Sequence, residues 1–374
     1  MQTAARRCDT RGYFNDKKKR RIYCMMTVLM GLETKETPDR IAEQLRNNRS
    51  LLQKIVQRLT EFDPAFVMMI GRGSSDHAAL YGKYLFETQL GLPTVSAAPS
   101  VCTLYKSSLK LKRSLTIGIS QSGQSPDICA MMKHAREQGA FTIAIVNDVD
   151  SPLAQLAEYV LPILVGQEKA VAATKSYIGS LTNCLHLIAC WKQDRALLEA
   201  LDQLPDRLTQ ALKADWAAFI DVFKMINRAF VIGRGYGFPI AQEAALKFKE
   251  TSKIQAEAFS SAEVLHGPFA LMQEDYPALL FTQNDAALSS VIEVSRKMTA
   301  LNGETCLILP RNLMDRYTSE KVAKHILPLP DSLHPLCDGV VAIEAFYRAL
   351  VDLAVKRGFN PDQPNHLTKV TETF

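Results

Sequence analysis

A turn rich in serine and glutamine separates a predicted strand from a predicted helix. It lies within GISQSGQSPDI, residues 118–128, after the apolar run SLTI and before the amphipathic run CAMMKHARE. Hydroxyls and backbone N–H groups at a helix start can donate hydrogen bonds to phosphate oxygens, and the helix dipole favours the anion. Helix capping alone is the alternative explanation of the serines. Because the turn carries no Lys or Arg, it predicts reversible binding of a phosphate monoester by Ser120, Gln121, Ser122 and Ser125.

Three charged residues share one face of a predicted helix farther along the chain. Glu243, Lys247 and Glu250 are spaced i, i+4 and i+7, which places their side chains on the same side. On an isolated helix, a row of surface ion pairs would be the better explanation. Here the surrounding segment AQEAALKFKET is rich in Ala and Leu, as in a helix that packs into a core. The pattern therefore favours acid–base chemistry by a carboxylate.

The elements that position these residues are duplicated. The segments IGRGSSDHAALYGKYLFE (70–87) and IGRGYGFPIAQEAALKFKE (232–250) share an apolar strand, an identical GRG turn and a helix. Each half continues with strand-like runs separated by helical ones, and helices around 192–228 join the halves. This alternation predicts an α/β fold of two parallel-sheet units with helices on both faces.

Only one half of the duplication keeps the phosphate-binding pattern. The corresponding turn of the second half, LLFTQNDAALSS, lacks the clustered serines and the glycine. The GRG turns do not follow the G-x-G-x-x-G spacing of a dinucleotide site. One phosphate site per chain is therefore predicted.

Charge and composition exclude several classes of function. The whole chain has a formal net charge of +5, but residues 1–25 alone carry +6. The other residues therefore sum to −1, which argues against binding of nucleic acid by the folded part. No apolar run approaches the ~18–20 residues of a membrane span, so no membrane partner is expected. The eight cysteines occur singly, without a Cys-x-x-Cys pair or zinc-ligand spacing, which fits a reducing cytoplasm. No metal-binding constellation is evident.

The amino-terminal segment superficially resembles a secretory signal, because KKKRR precedes IYCMMTVLMGL. It lacks an A-x-A-like cleavage site, and ETKETPDRIAEQL follows at once as a predicted helix start. Residues 1–31 are therefore predicted to be a disordered leader, or to lie upstream of a natural start near Met26 or Met30.

Six motifs together resemble the isomerase half of glucosamine-6-phosphate synthase, which consists of two SIS domains. They are GRGSS, SQSGQSPD, VAATKS, EAALKFKE, AEVLHGP and DQPNHLTKVTETF, and the resemblance covers about residues 32–374. It implies flavodoxin-like three-layer αβα units: SIS domain 1 with an amino-terminal helix at 32–205, SIS domain 2 at 206–360, and a catalytic tail at 361–374. The residues ahead of this half are too few for the synthase's glutaminase domain, so no internal ammonia supply is expected.

The resemblance also implies a role for particular residues in binding the sugar. Val171 and Ala172 would lie along the sugar, with Ala173 where the synthase usually has serine. The phosphosugar cradle would comprise Gly73, Ser74, Ser75, Ser120, Gln121, Ser122 and Ser125.

The implied catalytic residues come from three motifs. Glu250 resembles the base that moves a proton between C1 and C2, and Glu243 and Lys247 would position it. His266 resembles the ring-opening residue, contributed by the neighbouring subunit of a homodimer, although on sequence grounds it could equally be a loop histidine. Lys369 resembles the lysine that forms a Schiff base; we expect the tail to fold over the sugar site and to bury this amine beside another cation.

The predicted function is isomerising deamination of glucosamine 6-phosphate to fructose 6-phosphate and ammonia. Aldose–ketose interconversion needs a carboxylate base and a ring-opening group, and protein donors can stabilise an enediol, so no metal or cofactor is implied. The alternatives are deamination of a galactosamine phosphate, deglycation of a fructosamine phosphate, and plain aldose–ketose isomerisation. An alternative of another class is a non-catalytic phosphosugar-binding regulator, which would lack the acid–base residues or carry a DNA-binding segment.

Overall fold

The first half of the chain forms a five-stranded parallel sheet. The computed structural model describes residues 28–369. The strands are β1 Phe66–Ile70, β2 Thr94–Ser96, β3 Ser114–Ser120, β4 Phe141–Val146 and β5 Tyr159–Pro162. Their order in the sheet is β2-β1-β3-β4-β5, and every neighbouring pair is parallel.

The second half repeats the same topology. Its strands are β6 Arg228–Gly233, β7 Gln255–Ser260, β8 Pro277–Phe281, β9 Glu304–Pro310 and β10 His325–Leu329. Their order, β10-β9-β8-β6-β7, matches that of the first sheet strand for strand. The predicted duplication and the α/β class are confirmed. The short or polar edge strands β2 and β7 carry no apolar run and were not predicted.

Helices cover both faces of the sheets. They are α1 Leu29–Phe62, α2 Ser74–Leu90, α3 Ser100–Thr103, α4 Pro126–Glu137, α5 Pro152–Leu156, α6 Lys175–Lys192, α7 Arg195–Ala211, α8 Ala217–Phe223, α9 Gly237–Ser252, α10 Leu288–Ala300, α11 Arg311–Ser319 and α12 Pro335–Lys356. Two 3₁₀ turns, Glu263–Leu265 and Pro268–Leu271, follow β7. No helix within residues 28–369 is both long and apolar enough to cross a bilayer.

A central hydrophobic core joins the two units. In β1, Val67 and Met69 belong to this core, whereas Met68 and Ile70 belong to a smaller outer cluster. Val231 of the second sheet belongs to the same central core. The side chains alternate in this way because successive residues of a strand point to opposite faces. The shared core brings α2 of the first unit against α9 of the second.

The strand order creates a crevice at the carboxyl ends of β1 and β3 in the first sheet. From β1, the chain first pairs on one side with β2 and later on the other side with β3. In open α/β sheets, ligands bind at this reversal of strand order, beyond the carboxyl ends of the strands. The GRGSS and SQSGQS turns follow β1 and β3 and therefore lie at this crevice.

The first helix begins earlier than the predicted leader allows. Helix α1 starts at Leu29, so the predicted boundary at residue 31 falls inside it; residues 1–27 of the predicted leader lie outside the described residues. The backbone N–H groups of Leu29 and Met30 each donate to the Asp362 carboxylate at 2.8 Å. The capping group thus lies more than 300 residues away, where no local pattern could reveal it.

The predicted domain boundary at 205/206 also falls inside a helix. Helix α7 continues from Arg195 to Ala211 with Pro205 in its interior. The helices expected between the two halves are present as α7 and α8.

Candidate active site

A cleft of about 320 Å³ opens at the crevice beyond the carboxyl ends of β1 and β3. It brings together residues from five separate parts of the sequence: the two serine-containing turns, helix α9, the segment before α6, and the carboxyl-terminal tail. Its lining residues are Arg72, Gly73, Ser74, Ser75, Ser120, Gln121, Ser122, Ser125, Val171, Ala173, Lys247, Glu250, Leu367, Thr368 and Lys369.

The GRGSS turn is shaped by its glycines. Gly73 has φ +52°, a left-handed conformation that favours glycine, and α2 begins directly after it. A Cβ on Gly71 would lie 2.6 Å from the backbone oxygen of Ser75, so only glycine fits there. The turn therefore presents Ser74 and Ser75 at the start of α2, beside the cleft.

Arg72 of the same turn is a cleft residue that sequence reasoning missed. Its guanidinium bonds the buried Asp127 carboxylate, with Nη2 and Oδ2 2.7 Å apart, and half of its side chain stays exposed. Arg72 therefore supplies fixed positive charge beside the second serine turn, SQSGQS, which contains no Lys or Arg. The partners are 55 residues apart in the chain, so no local pattern could connect them.

The SQSGQS turn folds back on itself around Gly123. The Ser120 hydroxyl accepts a hydrogen bond from the Gly123 N–H at 3.0 Å, and the Ser122 hydroxyl accepts one from the Gln124 N–H at 3.3 Å. Gly123 has φ +63°, and a Cβ there would lie 2.1 Å from the Ser151 hydroxyl oxygen. Ser125 precedes the first residue of α4 but makes no capping bond to that helix.

Replacing Ser125 with alanine should weaken phosphosugar binding by about 10- to 100-fold, because a hydrogen bond to a charged group contributes ~1.5–3 kcal/mol. Thermal stability should stay unchanged, since the hydroxyl caps nothing in the protein. Titration calorimetry and a melting curve measure the two effects. Ser151 is the matched control: it also precedes a helix that starts with proline, but its hydroxyl accepts the Ala154 N–H, so Ser151→Ala should cost about 1 kcal/mol of stability. Unchanged binding by Ser125→Ala would remove this hydroxyl from the cradle.

The three charged residues of α9 form one connected group, as their spacing predicts. The Lys247 ammonium lies 2.5 Å from Oε2 of Glu250 and 3.4 Å from Oε1 of Glu243. It also donates to the Ser74 hydroxyl at 3.0 Å, which joins α9 to the first serine turn. Glu250 and Lys247 line the cleft, whereas Glu243 is fully buried behind them.

Burial and ion pairing compete in this group. Burial opposes the charge on Lys247, but the carboxylates of Glu243 and Glu250 more than offset it and raise the pKa of Lys247. Burial likewise opposes the charge on Glu243, but the Lys247 ammonium and the bond from His77 lower the pKa of that carboxyl overall. The pair is therefore ionised, and the arrangement suits Glu250 to proton transfer at an atom in the cleft.

The tail enters the cleft through Lys369. Its ammonium lies 2.8 Å from Oε2 of Glu168, a carboxylate with no exposed side-chain surface. Burial opposes the charge on Glu168, but Lys369 and the bonds from Ser176 lower the pKa of that carboxyl. The ion-pair partner of Lys369 is thus an anion, and the expectation that the amine lies beside another cation stays a prediction.

Two residues that were predicted for the sugar site, Ala172 and His266, do not line the cleft of this chain. Ala172 is fully buried in the central core, so Val171 and Ala173 line the cleft on either side of it, and the expectation that Ala172 lies along the sugar is wrong for its side chain. His266 is exposed beside the 3₁₀ turn Glu263–Leu265 and is not a lining residue of the cleft. Its assignment to a neighbouring subunit stays a prediction. Within residues 28–369 no group of His, Cys, Asp and Glu side chains could hold a metal ion.

Comparison with known proteins places the chain in a family. Residues 65–189 and 223–353 match the SIS domain model. The glutamine–fructose-6-phosphate aminotransferase (isomerizing) of Thermococcus kodakarensis is 30% identical over 349 residues, which cover 90% of this chain and 56% of that protein. The chain therefore spans about half the length of the curated relatives that it matches.

Solved structures share the fold over most of their length. A crystal structure of a candidate phosphosugar isomerase from Silicibacter pomeroyi has 36% identity and a TM-score of 0.83, and covers 90% of this chain and all of its own. A structure described as glucosamine-6-phosphate deaminase from Thermotoga maritima has 21% identity and a TM-score of 0.68 over 89% of this chain and all of its own, which shows the fold alone. These comparisons confirm the resemblance carried by the motifs and support an enzyme of the phosphosugar isomerase type. The chain belongs to the SIS domain family, with two SIS segments arranged in tandem.

Proposed function

We propose that this protein catalyses the isomerising deamination of glucosamine 6-phosphate to fructose 6-phosphate and ammonia. One observation carries the proposal: a hydroxyl cradle, a carboxylate–lysine pair and a second lysine line the same cleft. The cradle suits a phosphate monoester, and Arg72 adds positive charge beside it. A phosphosugar bound there would place its other end toward α9 and the tail.

The proposed chemistry uses Glu250 of α9 first and Lys369 of the tail second. In the open-chain amino sugar, Glu250 removes the proton from C2 and returns it to C1, which leaves an imine at C2. The Lys369 ammonium gives a proton to the imine nitrogen, and the freed amine attacks C2 and displaces ammonia to form a Schiff base; water then releases fructose 6-phosphate and the free lysine. One water is consumed and one ammonia is formed for each substrate. Ring opening is assigned to His266 of a second subunit, so a homodimer with shared sites is part of the proposal.

Two features connect the reaction with the described contacts. Lys247 bonds Glu250 and Ser74 together, so it joins the base to the turn that starts the cradle. Glu168 holds the Lys369 amine at the cleft wall before substrate binds. The T. maritima protein shares only the fold, so its description suggests a reaction class and the site residues carry the assignment.

Incubation of the pure protein with glucosamine 6-phosphate should release ammonia and fructose 6-phosphate in equal amounts. A panel with galactosamine 6-phosphate, a fructosamine phosphate and unsubstituted aldose and ketose phosphates separates the four reactions, because the substrates differ in the group at C1 or C2 or, for galactosamine, in the configuration at C4. Absence of ammonia at high enzyme concentration would refute the deaminase assignment. Binding without turnover of any member would instead favour the non-catalytic regulator.

A further inference from the structure

Glu243 occupies the centre of a buried polar cluster that the proposed chemistry does not explain. Its Oε1 accepts hydrogen bonds from the Ser74 hydroxyl at 3.1 Å and from the Tyr347 hydroxyl at 2.9 Å, and it lies 3.4 Å from the Lys247 ammonium. Its Oε2 lies 2.9 Å from Nδ1 of His77. Among residues 28–369, His77 is the only hydrogen-bond partner of that oxygen. The carboxylate has no exposed surface, so each of these contacts replaces a lost water.

His77 reaches this cluster from a second cavity, which shares the lining residue Gly73 with the cleft. It follows the GRGSS turn on α2, and its side chain is 18% exposed. It lines this second cavity of about 530 Å³, together with Gln242, Leu246, Lys249 and Phe259. The path from that cavity to the cleft runs from His77 through Glu243 and Lys247 to Glu250. His77 does not line the cleft, and it contacts the charged group of α9 through Glu243.

We propose that His77 is a positioning residue for proton transfer: through Glu243 it keeps the Lys247 ammonium shared between two carboxylates. This inference rests on the proposed function. When both carboxylates are ionised, Lys247 divides its charge between Glu243 and Glu250. If Glu243 were neutral, Lys247 would pair with Glu250 alone, and the base would have to break a stronger ion pair to accept a proton.

The direction of the pH effect follows from the groups that face Glu243. They are His77 of α2, Lys247 and, through it, Glu250 of α9, Tyr347 of α12 and Tyr177 of α6. Lys247, His77 and Tyr347 lower the pKa of Glu243 against the opposing effect of burial. Loss of the His77 bond leaves Oε2 buried without a donor, so the pKa of Glu243 rises. The rate, which needs Glu243 ionised, should then begin to fall at a higher pH than in the wild-type protein.

The kinetic test compares His77→Leu with His77→Asn, whose side-chain amide can donate from nearly the position of Nδ1. We expect His77→Leu to lower kcat by about 10- to 100-fold, with KM nearly unchanged and the acid limb of the pH–rate profile at a higher pH. His77→Asn should restore most of kcat and the wild-type profile. His77→Ala repeats the test without the bulk of leucine, in case leucine disturbs packing. A wild-type kcat and pH profile in both His77→Leu and His77→Ala would overturn the proposal.

A second arm requires no substrate. Infrared difference spectra of the full chain report the carbonyl stretch of a protonated carboxyl, which should appear at a higher pH in His77→Leu than in wild type and vanish in the double variant with Glu243→Gln. Appearance at the same pH would overturn the proposal. If even the wild-type protein turns over no phosphosugar, the proposed function fails, and the infrared arm alone decides whether His77 holds Glu243 ionised.

The chain offers a matched control far from the cleft. On the edge strand β10, Nε2 of His325 lies 3.2 Å from Oε2 of Glu304, a histidine–glutamate pair of similar geometry. His325→Leu removes that pair without changing any residue of the Glu243 cluster, and it should leave kcat, the pH profile and the infrared signal of Glu243 unchanged. An equal effect of His325→Leu would show a general loss of stability and overturn the assignment to His77.

Discussion

Replacing Glu250 with glutamine should lower kcat by about 10²- to 10⁴-fold while phosphosugar affinity stays within a few-fold of wild type. Glutamine cannot take the proton from C2, but its amide oxygen can still accept the hydrogen bond from Lys247 that holds the side chain in place. The cradle residues lie on the turns after β1 and β3, and the bond from Lys247 to Ser74 does not involve the altered group. Calorimetric binding of fructose 6-phosphate and steady-state ammonia release measure the two quantities separately.

The matched control for Glu250→Gln is a lysine–glutamate pair that has no access to the cleft. On α10, the Lys297 ammonium lies 2.8 Å from Glu293, and both side chains are about half exposed. Glu293→Gln should leave turnover unchanged, because an exposed pair contributes ~0.2–1 kcal/mol at most. If Glu250→Gln keeps wild-type turnover, another group acts as the base, and Glu250 serves only to hold Lys247.

The same variant tests whether active sites are shared between subunits. His266 lies outside the cleft of its own chain. If it acts in the site of a neighbouring subunit, as proposed, mixing Glu250→Gln with His266→Ala should produce heterodimers with one intact site. Activity should then recover after subunit exchange. A mixture that recovers nothing would mean that His266 does not act across a subunit boundary.

Much of the fold could be predicted because its signals are local and repeated. The duplicated GRG segments and the apolar strand runs identify the central strands and the helices that follow them. The edge strand β7, with the sequence QAEAFS, has mainly small and polar residues, because one side of it is unpaired and partly exposed. The start of α1 depends on Asp362, and no periodicity in the first 30 residues can show that contact.

The candidate site was predictable only as far as its motifs extend. Spacing on one helix places Glu243, Lys247 and Glu250 together, and strand-end turns place the serines together. Glu168 contacts Lys369, which lies 201 residues away in the chain. His77 contacts Glu243, which lies 166 residues away. Such partners are chosen by tertiary packing: His77 follows the GRGSS motif and Glu168 precedes VAATKS, but neither motif shows which distant side chain its neighbour will contact. Ala172 shows another limit, because a motif does not tell which of two adjacent side chains lines the cleft.

The tail is held in place by contacts that precede Lys369. The Asp362 carboxylate accepts hydrogen bonds from the start of α1. The backbone oxygen of Asp362 accepts one from the Val171 N–H at 3.2 Å. Glu168, in the same segment as Val171, then binds the Lys369 ammonium. A chain end is normally frayed unless something fixes it, and these contacts fix the approach of this one. The amine therefore reaches the cleft wall at a defined place.

Replacing Lys369 with arginine should abolish covalent trapping and lower kcat by on the order of 10²- to 10³-fold. Arginine keeps the charge that pairs with Glu168 but cannot form a Schiff base, so stability should change little. Lys369→Met should lower kcat as well and also destabilise the fold by about 1–3 kcal/mol, because it leaves Glu168 buried without its cation; the value lies below the ~3–5 kcal/mol of a fully buried pair because Lys369 is 24% exposed.

Borohydride reduction in the presence of fructose 6-phosphate should attach the sugar to Lys369 in the wild-type protein, as located by peptide mass spectrometry. Lys324 is the matched control, because its ammonium lies 2.6 Å from Glu304 and is 30% exposed, close to the values for Lys369. Lys324→Arg should trap the sugar as efficiently as wild type, whereas Lys369→Arg should trap none. Since glucosamine 6-phosphate would lose its ammonia on forming the same Schiff base, it should yield the same adduct. Full turnover by Lys369→Arg would mean that water attacks C2 directly and that Lys369 only neutralises Glu168.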